Sequence, residues 1–256
     1  MLALKHIRKA FAGKTVADNI SLSVADGKLL AVLGPSGCGK STLLNIAAGL
    51  VAADSGEVWI GGENRSRMPP ERRRVALMFQ DYALLPHLNV WQNVAFGLKM
   101  QGVDKHEARR RAEAALAEVG LAAELGRRID ALSGGEQQRV QLARSLAQLW
   151  GEEGPQGWLF LDEPTSALDL FYQQHLLRLL KKLSRAGGLH VCIVLHDLNL
   201  AALWADTILL LHQGKLVAEG TPHDVIQPSV IHRWYGADIS MSQHPQAAVP
   251  QVYLTP

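Results

Sequence analysis

The sequence has 256 residues, of which 48% are hydrophobic and 20% are charged. This length is enough to bury a sizeable core, either as one large domain or as a domain with a subdomain. The 26 Lys and Arg residues nearly balance the 24 Asp and Glu residues, and the net charge of +2 gives no reason to expect nucleic acid or an anionic membrane surface as a partner.

Predicted strands and helices alternate along the chain. Short apolar runs predict buried strands at 29–34, 56–62, 74–80, 158–164 and 190–197. Helical spacing predicts helices in "KSTLLNIAAGL" and over 104–120, and residues 207–220 predict a hairpin around Gln213-Gly214. Strands interleaved with helices favour an α/β fold with a mainly parallel sheet that is covered on both faces.

The chain as a whole, 1–256, is predicted to form a single domain. Residues 84–155 lack a clear strand pattern and predict a helical subdomain, inserted into a core made of 1–83 and 156–256. The sequence shows no internal repeat and no low-complexity tract.

The composition also indicates the compartment. Cys38 and Cys192 lie far apart and form no CxxC motif, as expected in a reducing environment. The N-terminal "MLALKHIRKAF" lacks an apolar core long enough for a signal peptide, and the apolar run at 207–211 is far shorter than the ~20 residues that span a bilayer. We therefore expect a soluble, cytosolic protein.

A glycine-rich motif follows the predicted strand at 29–34. "GPSGCGKS", from Gly34 to Ser41, satisfies G-x-x-x-x-G-K-[ST] between a strand and a helix, a placement that argues against a chance glycine-rich turn. Its glycines allow backbone N–H groups to cradle the β- and γ-phosphates of a nucleotide at the helix N-terminus. Lys40 is predicted to reach the phosphate oxygens and Ser41 to ligate Mg²⁺. Cys38 is interpreted as a small spacer, with a redox-sensitive thiol as the alternative.

Polar residues follow three of the predicted strands. "WLFLDEP" places Asp162 where a phosphate-loop enzyme holds the Mg²⁺ shell, and Glu163 where a general base polarises water. The alternative for either acid is a helix N-cap. His196 ends another strand whose carboxyl end is expected near the same phosphates. Gln80 ends "VALMFQ" and is predicted to bind Mg²⁺ or position water, with a solvated loop amide as the alternative.

Taken together, these motifs resemble the nucleotide-binding subunit of an ABC transporter over nearly the whole chain. "GPSGCGKST" is similar to its Walker A motif, "FQ" to its Q-loop, "LSGGEQQRV" (132–140) to its signature, "WLFLDE" to its Walker B motif, "SALD" (166–169) to its D-loop and "LHD" to its H-switch. The resemblance implies a P-loop NTPase core with a mainly parallel sheet, an N-terminal antiparallel β-subdomain and an inserted helical subdomain that carries the signature.

The resemblance also implies how ATP is held. In this family two copies sandwich ATP head to tail, so that the signature of one copy contacts the γ-phosphate held by Lys40 of the other. A helix beginning near Glu136 would then direct its N-terminus at that phosphate, which explains the adjacent glycines. Phe11 corresponds to the aromatic residue that stacks on adenine, with an ordinary core residue as the alternative. Asp169 would link the two sites across the interface.

The implied assignments cover binding, metal and catalysis. The nucleotide contacts are Phe11, Gly34, Pro35, Ser36, Gly37, Cys38, Gly39, Lys40, Ser41, Thr42, Ser133, Gly134, Gly135, Glu136 and Asp169. The Mg²⁺ ligands are Ser41, Gln80 and Asp162, and the catalytic residues are Glu163, His196, Lys40 and Gln80.

The spacing of the motifs separates subclasses of the family. The stretch from Lys40 to Ser133 is too short for the long coiled coil of DNA-repair ABC ATPases, and translation-associated members carry two phosphate loops where this chain has one. The resemblance therefore implies membrane permease subunits and a periplasmic or surface substrate-binding protein as partners, and no nucleic acid. We expect the chain to lie peripherally on the cytoplasmic face of the inner membrane.

Two parts of the sequence point to different cargoes. From about Val140 onward, including "LDLFYQQHLLRLL" and the C-terminal tail, the chain resembles hemin importer ATPases, whereas 69–98 is similar to importers of sugars, polyamines, thiamine or ferric iron. We favour hemin or a related iron chelate, with the second group as the alternative.

"HRWYGAD" (232–238) is interpreted as a packed helix end rather than a heme ligand set. The arginine clusters 72–74 and 109–111 are interpreted as solvated faces or salt-bridge partners, with permease docking as the alternative.

Overall fold

The structure is a computed structural model that describes residues 1–79, 84–166 and 168–255. Its strands are β1 Leu2–Phe11, β2 Lys14–Val24, β3 Leu29–Leu33, β4 Ser55–Ile60, β5 Glu63–Asn64, β6 Val75–Met78, β7 Gly157–Asp162, β8 Leu189–Val194, β9 Thr207–His212, β10 Lys215–Gly220, β11 Ile239–Gln243 and β12 Pro250–Leu254. Its α-helices are α1 Lys40–Ala48, α2 Val90–Met100, α3 Lys105–Glu118, α4 Gly134–Leu149, α5 Leu170–Arg185, α6 Leu198–Trp204, α7 Pro222–Val225 and α8 Pro228–Tyr235. No helix in these described ranges combines the length and apolar character needed to cross a bilayer.

The chain divides into two compact units, the first formed by Met1–Arg73 with Val191–Pro256 and the second by Arg74–His190. In the first unit β3 lies between β9 and the Val191–Val194 part of β8, and both neighbours run parallel to it. All five residues of β3 are buried, as a parallel strand covered on both faces requires. The edge strand β10 pairs antiparallel with β9 through the predicted hairpin.

A second sheet in the first unit contains β1, β2, β4 and β5, and its pairings are all antiparallel. Ile7 of β1 and Ile20 of β2 pair directly and are fully buried, so one face of this sheet contributes to the core. The predicted α/β fold, with a mainly parallel sheet and an N-terminal antiparallel β-subdomain, is confirmed. The antiparallel hairpin of β11 and β12 follows later in the same unit and was absent from the sequence prediction.

The second unit pairs β6 in parallel with β7 and packs α2, α3 and α4 against one another. Ala108, Ala112 and Ala115 of α3 form a fully buried stripe at helical spacing, and their small side chains allow close contact between helices. The Asp104 carboxylate accepts a hydrogen bond from the N–H of His106, which caps the start of α3. The helix predicted over 104–120 is therefore confirmed.

The two arginine clusters have different environments. In the second unit, Arg110 and Arg111 both pair with Glu107, and Arg109 pairs with Glu113, as the sequence predicted for a solvated helix face. In the first unit the prediction was wrong for Arg73, which is buried.

The Arg73 guanidinium completes the C-terminus of α1. It donates hydrogen bonds to the carbonyl oxygens of Ile46 and Ala47 at 3.1 Å, in the last turn of the helix, where carbonyls lack the regular i+4 donor. It also donates to the carbonyl oxygens of Ser66 and Met68. The planar five-donor geometry of arginine is what allows one side chain to serve four acceptors.

We expect Arg73→Met to lower the free energy of unfolding by about 3 kcal/mol, because it leaves buried carbonyl oxygens without donors. Urea titration followed by circular dichroism measures the change. The matched control is Arg72→Met, since Arg72 is exposed and its change should stay within about 0.5 kcal/mol of the parent. Equal urea midpoints for the two variants would contradict the capping role of Arg73.

Candidate functional site

The glycine-rich motif forms the loop between β3 and α1 in the first unit. Gly34 and Gly39 adopt φ values of 147° and 105°, which L side chains rarely adopt. A Cβ at Gly34 would collide with the carbonyl oxygen of Leu211, and a Cβ at Gly39 would collide with that of Val16. Glycine is therefore required at both positions by backbone conformation and by contact with neighbouring strands.

Lys40 is the first residue of α1, and its ammonium group lies within the loop. It donates hydrogen bonds to the carbonyl oxygens of Gly34 at 2.8 Å and Pro35 at 3.1 Å, and the residue is only 5% exposed. Ser36 and Gly37 are exposed at the tip of the loop, and Ser41 is exposed in the first turn of the helix. A buried cation at a helix N-terminus, next to an exposed glycine-containing loop, has the chemistry of an anion site.

An open cleft runs beside this loop within the first unit. Its lining comes from three backbone segments, namely Lys14–Val16 of β2, Pro35–Cys38 of the loop and His212–Gly214 at the end of β9. Lys14 gives this lining a cation. The first unit thus presents Lys14 and part of the glycine-rich loop on one concave surface.

Phe11 ends β1 and is 47% exposed, so its interpretation as an ordinary core residue is wrong. The Lys9 ammonium lies 5.1 Å from the ring centroid and also pairs with Asp54 at 2.7 Å. The ring is thus held on the surface by a cation–π contact while a large part of it remains accessible. Adenine stacking on Phe11 stays a prediction.

The two acidic residues lie at the end of β7 in the second unit. Asp162 is the last residue of this buried strand and is 8% exposed. Glu163 follows with a φ of 53°, in the left-handed region that costs a non-glycine residue about 1 kcal/mol. The Ser166 hydroxyl donates to the Glu163 carbonyl oxygen at 3.0 Å and holds this turn. Strain maintained at one residue by its surroundings is typical of functional sites.

His196 lies in the first unit, after the end of β8, and is exposed. The next residue, Asp197, caps α6 by accepting hydrogen bonds from the N–H groups of Asn199 and Leu200. The histidine is therefore placed between a buried strand and a capped helix, as the sequence predicted for a side chain at a strand end.

The signature segment begins α4 in the second unit. The Ser133 hydroxyl oxygen accepts a hydrogen bond from the N–H of Glu136 at 3.3 Å, and the Glu136 carboxylate accepts one from the N–H of Ser133 at 2.8 Å. This capping box starts the helix at Gly134, two residues before the predicted position near Glu136. Because the serine oxygen is the acceptor in this cap, the hydroxyl proton can donate to another oxygen.

The Glu136 carboxylate accepts a hydrogen bond at the start of its own helix. Hydrogen bonds from Ser133 lower the pKa of the Glu136 carboxyl, and Arg127 lies 3.4 Å from it. The carboxylate therefore stabilises the start of α4, while Ser133 and Gly134 are exposed at the same helix end. A contact between Glu136 and nucleotide remains a prediction.

Asp169 precedes α5 in the second unit. Asp169 caps α5 by accepting a hydrogen bond from the N–H of Tyr172 at 2.9 Å and is exposed. Gln80, predicted to bind Mg²⁺, and Ala167 of the "SALD" segment lie outside the described residues.

Sequence reasoning missed two buried glutamines of α4. Gln138 donates to the carbonyl oxygen of Pro164, directly after the acidic pair, and Gln141 donates to that of Phe79 at 2.9 Å. Gln138 therefore ties the signature helix to the chain that follows β7, and Gln141 ties it to the residue that follows β6. The available signal was the placement of polar amides at inward positions of an otherwise apolar helix face.

The "HRWYGAD" segment is a packed helix end, as the sequence interpretation favoured. Trp234 packs on His212 with ring centroids 5.3 Å apart, and His232 contacts Asp238 at 2.7 Å. Burial raises the pKa of Tyr235 to about 12, against the opposing effect of the nearby Gly34 N–H. The end of α8 thus packs beside the glycine-rich loop.

Comparisons with known proteins agree with these motifs. A family model described as "ABC transporter" matches residues 17–166. The chain is 48% identical over 230 residues to the hemin import ATP-binding protein HmuV of Enterobacter cloacae, covering 89% of this chain and 87% of that protein. It is 40% identical over 225 residues to the spermidine/putrescine import ATP-binding protein PotA of Bacteroides thetaiotaomicron, covering 88% of this chain but 47% of that longer protein.

Solved structures give the same result. The fold is similar to the dimeric structure of a bacterial ABC transporter cassette, with a TM-score of 0.77, 32% identity and coverage of 86% of this chain and 98% of that one. It is also similar to a dimeric post-hydrolysis state of that cassette bound to ADP and Pi, with a TM-score of 0.77, 31% identity and the same coverage of 86% and 98%.

Cys38 is expected to be chemically inert. It is 5% exposed, and burial raises the pKa of its thiol despite the nearby positive charge of Lys40. A raised pKa reduces the thiolate fraction at neutral pH, and the thiolate is the reactive form. In a Cys192→Ser variant at pH 7.5, we expect Cys38 to react with Ellman's reagent about 100-fold more slowly in the native protein than after unfolding in guanidinium. Comparable rates in the two states would support the redox-sensitive alternative.

Proposed function

Since this chain belongs to the ABC transporter family and is the ATP-hydrolysing subunit of an importer, we propose that hemin or a related iron chelate is the cargo whose uptake it powers. The observation that carries this proposal is the 48% identity to a hemin import ATP-binding protein over 89% of the chain. Polyamine import is the second candidate, because a spermidine/putrescine import protein is 40% identical over 88% of the chain.

The first unit carries the groups proposed to bind ATP. The glycine-rich loop from Gly34 to Thr42 would hold the phosphates, because its backbone accepts no side chain at Gly34 or Gly39 and because Lys40 supplies positive charge inside it. Phe11 would stack on adenine through the exposed part of its ring.

The donor set suits Mg²⁺. The proposed ligands are the hydroxyl of Ser41, the carboxylate of Asp162 and the amide oxygen of Gln80, and oxygen donors are what this ion prefers. The exposed position of Ser41 in the first turn of α1 leaves its hydroxyl accessible next to the phosphate loop. Bound Mg²⁺ would neutralise phosphate charge, which favours attack on the γ-phosphate.

Hydrolysis is proposed to use Glu163 as the general base. Its carboxylate would accept a proton from the attacking water, while Lys40 and His196 stabilise the charge that develops on the phosphate oxygens. The left-handed backbone of Glu163 supports this role, because the strained turn holds the side chain in a direction that an ordinary strand residue would not take.

In a dimer, a second copy of the chain would supply a further contact to the bound nucleotide. The chain is similar to a cassette whose solved structure is dimeric, and we assign Ser133, Gly134 and Gly135 to the γ-phosphate bound by the second copy. The Ser133 hydroxyl retains a proton to donate, and the absence of side chains at Gly134 and Gly135 allows a phosphate to approach the start of α4. Glu136 would act by keeping this cap formed, and Asp169 would contact the second copy.

Membrane coupling completes the proposal. Permease subunits would bind the helical subdomain at 84–155, a substrate-binding protein would deliver cargo to them, and the chain would lie on the cytoplasmic face of the membrane. Movement of α4 is proposed to transmit nucleotide binding to the permease. Gln138 connects this helix to Pro164 after β7, and Gln141 connects it to Phe79 after β6.

The cargo is tested by reconstituting the chain with candidate permeases in liposomes. We expect co-purification with a hemin permease and ATPase activity that rises at least tenfold when the hemin-loaded binding protein is added. A matched preparation uses a polyamine permease with its spermidine-loaded binding protein. Pairing and stimulation in the polyamine system alone would replace hemin with polyamine as the cargo.

Replacing the proposed base should separate binding from turnover. We expect Glu163→Gln to bind Mg·ATP normally by isothermal titration but to hydrolyse it about 1000-fold more slowly, because the amide cannot accept the proton. Lys40→Ala should instead weaken binding itself. The control is Glu153→Gln in an exposed loop, which should leave hydrolysis unchanged. Hydrolysis by Glu163→Gln at the parental rate would show that another group is the base.

A further inference from the structure

The turn between β9 and β10 lies directly against the phosphate loop. Its two central residues, Gln213 and Gly214, both have positive φ values, of 47° and 77°, as a tight two-residue hairpin requires. The geometry of the hairpin explains why this turn favours glycine. It does not explain why the turn lies against the phosphate loop. Together with Pro35–Cys38 and Lys14–Val16, it forms one wall of the cleft in the first unit.

Gly214 joins two segments through its own backbone. Its N–H donates to the carbonyl oxygen of Cys38 at 3.0 Å, and its carbonyl oxygen accepts from the N–H of Asp18 at 2.7 Å. One residue therefore connects the phosphate loop to β2 with both of its hydrogen-bonding groups.

The first of these hydrogen bonds fixes the orientation of a peptide plane. In a trans peptide the C=O of one residue and the N–H of the next point in opposite directions. Because the Cys38 carbonyl is held towards Gly214, the N–H of Gly39 must point away from the turn. That N–H is one of the donors expected to bind phosphate, so the turn determines whether it faces the ligand.

Close packing reinforces this arrangement. A Cβ at Gly214 would lie 3.0 Å from the carbonyl carbon of Val16 and 3.3 Å from the nitrogen of Ala17. A Cβ at Gly39 would collide with the carbonyl oxygen of Val16. Glycine at both positions lets the turn, the loop and β2 meet backbone to backbone.

The contact between Gly214 and β2 also bears on the proposed adenine subsite at Phe11. Lys14, at the start of β2, pairs with Phe11 at the end of β1. The strand that Gly214 holds against the phosphate loop is thus the partner of the strand that presents the aromatic ring.

We propose that Gly214 is a positioning residue for ATP binding, which holds the Cys38–Gly39 peptide in its phosphate-binding orientation and fixes the loop relative to β2. This inference rests on the proposed phosphate-binding role of the loop. Gly214 itself touches no reacting atom, so its effect should appear in the affinity for ATP and hardly at all in the rate of hydrolysis at saturation.

A matched glycine allows the local strain of the turn to be separated from this role. Gly62, in the turn between β4 and β5, has a φ of 83°, and a Cβ there would meet no atom within 4 Å. Gly62→Ala therefore introduces the same backbone strain as Gly214→Ala without a contact to the phosphate loop. Gly62→Ala should lower the thermal midpoint through backbone strain alone, and Gly214→Ala should lower it at least as much, because its Cβ also meets Val16.

The test measures Kd for Mg·ATP by isothermal titration, and KM and kcat by phosphate release, in both variants and the parent. We expect Gly214→Ala to raise Kd and KM about tenfold, with kcat within about threefold of the parent. Gly62→Ala should leave all three within about twofold. Should Gly214→Ala fail to fold, Gly214→Asn serves instead, because asparagine tolerates this backbone conformation while retaining the Cβ contact with Val16.

Three results would overturn the positioning role, and a fourth would overturn the proposed phosphate site. Parental ATP affinity in the Gly214 variant, or an equal loss of affinity in Gly62→Ala, would overturn the positioning role. A fall in kcat with unchanged Kd would also overturn it, because the effect would then lie in the chemical step. Failure of the parent protein to bind Mg·ATP at all would instead overturn the proposed phosphate site.

Discussion

Backbone-to-backbone contact around the phosphate loop is the constraint on which the site depends. Gly34 lies against the carbonyl oxygen of Leu211, Gly39 against that of Val16, and the Cys38 carbonyl is bound by the N–H of Gly214. The first two contacts leave no room for a Cβ, and a Cβ at Gly214 would lie 3.0 Å from the carbonyl carbon of Val16. Contacts from outside the loop reduce the number of its own N–H groups that are needed to hold it together, which leaves groups such as the Gly39 N–H for an anion.

The signature segment meets a similar demand by different means. Ser133 caps α4 with its oxygen and keeps a proton to donate, while Glu136 satisfies the backbone N–H behind it. Gly134 and Gly135 weaken the helix locally, since each costs about 1 kcal/mol relative to alanine. The capping box offsets that loss and gives a rigid helix start that a phosphate can approach.

Local patterns predicted much of this molecule, and contacts distant in sequence account for the rest. The buried strand β3, the capped helix α3 and the turn at Gln213-Gly214 follow from apolar runs, capping residues and turn chemistry within a few positions. Arg73 was misjudged because its four carbonyl acceptors belong to residues up to 27 positions away. The turn at Gly214 was predicted, but its hydrogen bonds to Cys38 and Asp18 depend on tertiary packing that no local pattern encodes.

The most direct test of the shared nucleotide site is a crystal structure of Glu163→Gln with Mg·ATP. The Ser133 hydroxyl of one copy should lie within hydrogen-bonding distance, about 2.8 Å, of the γ-phosphate that Lys40 of the other copy binds. A structure in which ATP occupies the loop while Ser133 faces solvent in every symmetric pairing of two chains would contradict the composite site.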